Sequence, residues 1–141
     1  LPIDACWGRA ADGGQSEWLV VGRQSDPSHP VELSDSGADL ITTSLVLIEL
    51  ADGLSRVHHR GLAMQLVDAL ERSRRVEIVP VDERLERLGW QLFRAREDKD
   101  WGMTDCVSMS LMADRRIQDV FTADHHFEQA GFNILLREQG S

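Results

Sequence analysis

Cysteine is scarce in this chain. Only Cys6 and Cys106 occur, a hundred residues apart, which excludes a secreted disulfide framework and the paired spacing of a zinc ribbon, and fits a reducing compartment. Long apolar runs are missing as well: none approaches the roughly 18 residues of a membrane span. No charged-then-apolar leader opens the sequence, so a cytoplasmic protein without a membrane partner is expected. Basic charge is in short supply. Lys and Arg total 15 against 24 Asp and Glu, a formal net charge of −9, which argues against holding nucleic acid by bulk attraction. Tight hairpin turns and internal repeats are also lacking. What remains is a chain of 141 residues, 42% hydrophobic and 28% charged, enough for one sizeable core and too short for two. One domain over 1–141 is therefore expected.

The charge is unevenly spread, with ten acids and four bases in residues 1–70 and fourteen acids and eleven bases in 71–141. Residues 1–37 are rich in Gly, Asp, Ser and Pro, with only Trp18 to Val21 reading as a compact apolar run. That segment is atypical and, since the chain opens on Leu1 rather than Met, reads as fragmentary. From Ala38 the signals sharpen. ADLITTS reads as a short buried strand whose Thr43 and Ser44 suit the cap of a helix from Leu45 to about Leu54. A second helix, about Val57 to Arg74, carries Leu62, Leu66, Ala69 and Leu70 at three-and-four spacing, and VEIVPV reads as the next strand. Asp82 caps a helix whose buried stripe is Leu85, Leu88, Leu92 and Phe93. After the charged loop REDKDWG, Thr104 starts another helix, Ile117 to Thr122 forms a strand, and a short helix from His125 ends at Gly131 before a final FNILL strand. Strands alternating with helices, without tight turns, predict an α/β fold on a mostly parallel sheet.

In an open parallel sheet, ligands bind beyond the carboxyl ends of the strands, where helix N-termini converge. Three acids fall there: Glu49 in the helix after the first strand, Asp105 directly after Thr104, and Asp124 just after the Ile117 to Thr122 strand. Val46, Leu47, Ile48 and Leu50 surround Glu49, and Met103, Cys106 and Val107 surround Asp105, so neither belongs to a solvated charge run. Grouped carboxylates among apolar side chains are tolerable only if a cation or protons neutralise them. All-oxygen donors point to Mg²⁺ or Mn²⁺, which could activate water against a phosphodiester. Each acid has a blander explanation too. Asp105 and Asp124 could offset helix macrodipoles and Glu49 could pair with an arginine, but three at one edge favour a site.

The same residues carry a resemblance. TTSLVLIEL (42–50), MTDCVSMSLM (103–112) and above all FTADHHFEQAGF (121–132) closely resemble the PIN-domain family, in particular its small VapC-type toxins. The resemblance covers about Ala38 to Leu136. It implies a PIN-like three-layer fold with a central sheet flanked by helices, and a metal-dependent endoribonuclease cutting RNA. By the same resemblance Glu49, Asp105 and Asp124 belong to the family's acidic cluster, Thr104 is the small hydroxyl residue before the third acid, and a cognate antitoxin and a homodimer are expected. The front of the chain departs from the pattern. The family places its first acid at the end of an apolar strand, and two candidates stand in its place: Asp12, 37 residues before Glu49, and Asp4, 45 before it with a better apolar lead-in. Asp12 is preferred on spacing as the remaining catalytic and metal-binding acid beside Asp105 and Asp124.

Other signals read as structural. His58–His59 and His125–His126 with Cys106 hint at zinc, yet adjacent helical histidines point about 100° apart and share one ion poorly; His126 or Phe127 is expected to pack the last helix and the other histidines to be solvated. Trp90 and Phe93 are expected in the core, and Trp101 either stacks on a base or seals its loop. Arg72, Arg74, Arg75, Arg94, Arg96, Lys99, Arg115 and Arg116 read as solvated faces, although an acidic nuclease needs some basic rim. No serine, cysteine or histidine is expected to pair as nucleophile and base near the acids. Two other functions compete with the nuclease: a non-catalytic binding module on the same fold, and a phospho-receiver. The receiver's lysine would follow the last-but-one strand, whereas Lys99, the only lysine, lies in the charged loop.

Overall fold

Five strands and five helices alternate in a computed structural model that describes residues 22–23, 40–122 and 124–135. In chain order they are β1 (Gly22–Arg23), β2 (Leu40–Thr43), α1 (Ser44–Gly53), α2 (Val57–Arg72), β3 (Val76–Val79), α3 (Glu83–Ala95), α4 (Met103–Arg115), β4 (Asp119–Val120), α5 (His125–Gln129) and β5 (Asn133–Ile134). The sheet order is β3-β2-β1-β4-β5. β2 pairs parallel with β3, in register Leu40 to Val76, and β4 pairs parallel with β5. The two-residue β1 lies between them and runs antiparallel to both β2 and β4. Both outer pairs therefore run the same way and end at one carboxyl edge. The reversal of β1 had no signal in the sequence. Asp4, Asp12 and the Trp18 to Val21 run lie outside the described residues.

Alternation along β2 and β3 divides the interior into two layers. Ile41 joins the larger core with Leu85, Cys106, Val107, Met109, Leu111, Met112, Ile117, Val120 and Phe127, while Leu40 faces the smaller cluster of Leu47, Leu70 and Val76. Successive strand side chains point to opposite faces, so α2 covers one face, α3, α4 and α5 the other, and α1 reaches both through Val46 and Leu47. α4 is buried almost all round, from Cys106 through Met109 without a break, as a helix wedged between a sheet and another helix must be. At Gly89 of α3 an added Cβ would stand 2.6 Å from Val107 Cγ2 and 3.0 Å from Met103 Cε, so the two helices touch almost backbone to side chain.

The helix starts follow local chemistry. Thr43 Oγ1 accepts from Val46 N–H at the head of α1, and Asp82 Oδ1 from Leu85 N–H at the head of α3. α5 ends in a Schellman motif: Gly131, at φ 94°, donates to Glu128 O, and Phe132 donates to Phe127 O while their rings approach to 6.4 Å. α4 closes with the same pair of bonds, Arg116 N–H to Ala113 O and Ile117 N–H to Met112 O, but with an arginine at φ 57° where glycine is favoured.

Several expectations need correction. Gly102, not Thr104, is the N-cap of α4. The buried stripe of α2 is Ala63, Leu66 and Leu70, and Leu62 is exposed. Trp90 and Phe93 are not core residues: they are exposed and meet edge to face on the outer side of α3, with the Arg94 guanidinium over the Trp90 ring. Trp101 is buried and donates from Nε1 to Gln129 Oε1, which seals its loop and leaves no face for a base.

Candidate active site

Three helix N-termini gather at the carboxyl edge: α1 after β2, α4 after its loop, and α5 after β4. Ser44 Oγ, accepting from Val81 N–H at 3.0 Å, ties the head of α1 to the end of β3. Asp105 lies at the third position of α4, where its Oδ2 accepts from Gly102 N–H at 3.1 Å. An acid there is also favoured by the helix dipole. Asp124 caps α5, with Oδ1 accepting from His126 N–H at 2.8 Å and its own N–H donating to the buried Thr122 hydroxyl. Each carboxylate is thus fixed by the element that presents it.

The two aspartates converge. Ligand atoms of Asp105, Asp124 and His126 all lie within 4.8 Å of one another. Burial, and next the Asp124 charge, raise the Asp105 pKa above the ordinary carboxylate range, opposed in part by the Gly102 amide and the His126 ring. His126 is the surprise. Its Nδ1 lies 3.3 Å from Asp105 Oδ2 and 3.2 Å from Asp124 Oδ1, is shut off from solvent, and forms a hydrogen bond with neither. Packing of α5 instead falls to Phe127, which is fully buried. The one available signal was its spacing: two residues past an N-cap aspartate brings a side chain back over that carboxylate.

Glu49 approaches the same edge by another route. The Thr104 hydroxyl donates to Glu49 Oε1 at 2.5 Å, which links α1 to the first turn of α4. Glu49 is exposed and falls outside the group of three. Cys106, directly after Asp105, is fully buried, and burial pushes its thiol up to about 11, so it offers no thiolate. Of the basic residues, Arg72, Arg74 and Arg75 precede β3 and Arg115 and Arg116 precede β4, which puts them at the opposite edge of the sheet. Arg115 also pairs with Glu77, and Arg96 with Asp98.

The donor set fits a hard divalent cation: two carboxylates held close together, one of them costly to ionise, with no Lys or Arg among the described residues ion-paired to either. A family model for the PIN domain matches residues 19–133. The chain belongs to the PIN-domain family. Its fold is accordingly the PIN α/β fold, and a solved structure is similar to it: the crystal structure of Mycobacterium tuberculosis VapC20, a sarcin–ricin loop cleaving toxin. That structure superposes with a TM-score of 0.60 at 26% identity, over 70% of this chain and 74% of that one. No curated protein matches the chain. Membership also bears on β1. In this PIN domain the central strand among the described residues is Gly22–Arg23, and because it runs against its neighbours Gly22 is its end nearer the Asp105–Asp124 edge.

Proposed function

We propose that this PIN domain is a VapC-like toxin endoribonuclease that hydrolyses RNA phosphodiester bonds at the Asp105–Asp124 edge. The observation that carries the reading is the convergence of those two carboxylates, from α4 and from the start of α5, without a lysine or arginine paired to either among the described residues. Asp105 and Asp124 would hold Mg²⁺ or Mn²⁺, with Asp12 as the further acid carried over from the family pattern. Such an ion, when bound, supplies acidified water and counter-charge for phosphoryl oxygens. The chain's own groups do the positioning. The Gly102 amide and the α4 N-terminus orient Asp105, the cap of α5 orients Asp124, and the Thr104 hydroxyl fixes one oxygen of Glu49, the acid that would take a proton from water. The only imidazole at the carboxylates, His126, has no serine or cysteine hydroxyl or thiol bonded to it among the described residues, so the geometry favours direct attack by water over a covalent enzyme intermediate.

The partners follow from the same reading: a structured or looped RNA as substrate, a cognate antitoxin protein that silences the toxin, and a homodimer as the assembled form. Among the described residues no helix is long and apolar enough to cross a membrane. End-labelled RNA, including a sarcin–ricin loop hairpin and total cellular RNA, should be cut in Mn²⁺ or Mg²⁺ to give 5′-phosphate and 3′-hydroxyl ends. A 5′-phosphate-dependent exonuclease identifies them. Cyclic 2′,3′-phosphate ends, or cleavage that persists in EDTA or in Asp105→Asn, would overturn the mechanism. Metal binding without cleavage of any RNA would favour the non-catalytic binding module.

A further inference from the structure

The Nδ1 atom of His126 is the one buried ring nitrogen of the described residues that lacks a hydrogen-bond partner, and it lies within 3.3 Å of both carboxylates. About a third of the side chain is exposed, so the exposed part of the ring lies away from that nitrogen. Placement is not accidental. The His126 amide is held by the Asp124 carboxylate, and the next residue, Phe127, is locked into the core and the Schellman motif that ends α5. Carrying its proton on Nε2, a neutral ring sets the Nδ1 lone pair beside two carboxylate oxygens at 3.2 and 3.3 Å, which is repulsive unless something positive stands there; carrying it on Nδ1, the ring makes no aligned hydrogen bond with either oxygen.

We infer that His126 donates its Nδ1 lone pair to the divalent cation held by Asp105 and Asp124, making the site a mixed nitrogen and oxygen set that prefers Mn²⁺ to Mg²⁺. This rests on the metal reading proposed above and adds to it a ligand and a selectivity. Imidazole is a good donor to first-row transition ions and a poor one to Mg²⁺, which keeps to oxygen and water. A neutral imidazole also adds a donor without adding to the negative charge of the carboxylates. The other arrangement of the same atoms carries a proton on Nδ1, in a neutral or a charged ring, and that N–H takes the cation's place beside the carboxylates. The two differ in sign: a ligand strengthens metal binding, and an N–H in the cation's place competes with it.

Titration calorimetry on the full chain, with Mn²⁺ and Mg²⁺ separately, should show Mn²⁺ affinity falling about tenfold or more in His126→Gln, with a smaller change for Mg²⁺. Electron spin echo modulation of the bound Mn²⁺ should show an imidazole ¹⁴N coupling in the wild type and in His125→Gln, and none in His126→Gln. Melting temperatures without metal check that the variants fold. Tighter Mn²⁺ binding in His126→Gln, or bound Mn²⁺ without the nitrogen coupling, overturns this inference and leaves the two-aspartate site standing. No Mn²⁺ binding by the wild type overturns both.

Discussion

Replacing Asp105 by asparagine should stabilise the protein in the absence of metal and remove its response to metal. Carboxylate oxygens of Asp105 and Asp124 lie within 4.8 Å of each other, and two unit charges at that distance repel by about 3.5 kcal/mol at an effective dielectric near 20. The side chains are 19% and 17% exposed, so screening by water and by His126 reduces the recoverable part to about 1–2 kcal/mol. Asparagine keeps an oxygen to accept from the Gly102 amide, so the start of α4 is preserved. For a domain of this size the gain corresponds to roughly 3–6 °C in melting temperature. Its pH dependence has a definite sign. The folded-state pKa of Asp105 is raised, so the penalty is absent below the ordinary carboxylate range, builds as pH rises through it, and is complete above the folded-state value. Wild type and Asp105→Asn should therefore melt alike in acid and diverge toward neutrality. Millimolar Mn²⁺ should then reverse the order by stabilising only the wild type. Scanning fluorimetry and urea titrations in EDTA and in Mn²⁺ measure both effects. A variant that is less stable than wild type in EDTA at neutral pH, or that gains as much from Mn²⁺, would refute the reasoning.

Three further outcomes are expected. Arg116→Gly should raise stability by about 0.5–1 kcal/mol in urea denaturation, because the exposed arginine holds φ 57° at the end of α4. Thr104→Val should lower kcat on RNA while changing Mn²⁺ affinity little, since the lost hydroxyl positions Glu49 rather than the aspartates; an unchanged kcat removes Glu49 from the reaction. Asp12→Asn should weaken Mn²⁺ binding in calorimetry with Asp4→Asn nearly silent, and the opposite ranking would transfer the role to Asp4.

Much of the carboxyl edge was legible because the signals there are local. A hydroxyl or aspartate before an apolar-periodic run marks a helix start, and Thr43, Asp82 and Asp124 all serve as caps. The motif FTADHHFEQAGF contains both ends of α5, from the Asp124 cap to the Gly131 turn. What stayed hidden depends on tertiary contact. Nothing in the period of α3 says that its outer neighbour is absent and that Trp90 and Phe93 remain exposed, because aromatic residues at helical spacing look the same against a core or against water. The sequence leaves open the choice between His126 and Phe127 as the packing residue, since the place of His126 comes from Asp105, brought in from another helix. The direction of β1 is set by its pairing with β2 and β4, and two residues carry no alternation from which to infer it.

Gly89 limits how the carboxyl edge can vary. Both Val107 and Met103 crowd the place where a side chain would begin at that position, and Met103 and Val107 lie on either side of Asp105 along α4. A methyl group added there would meet Val107 Cγ2 at 2.6 Å, so either the Val107 and Met103 side chains turn aside or α4 moves, and in the second case the carboxylate travels with the helix. Half an ångström at Asp105 matters more than the same shift elsewhere, because ligand geometry at a small cation tolerates little error. Residue 89 is thereby a distant adjuster of the carboxylate spacing, on a helix that contributes none of the acids.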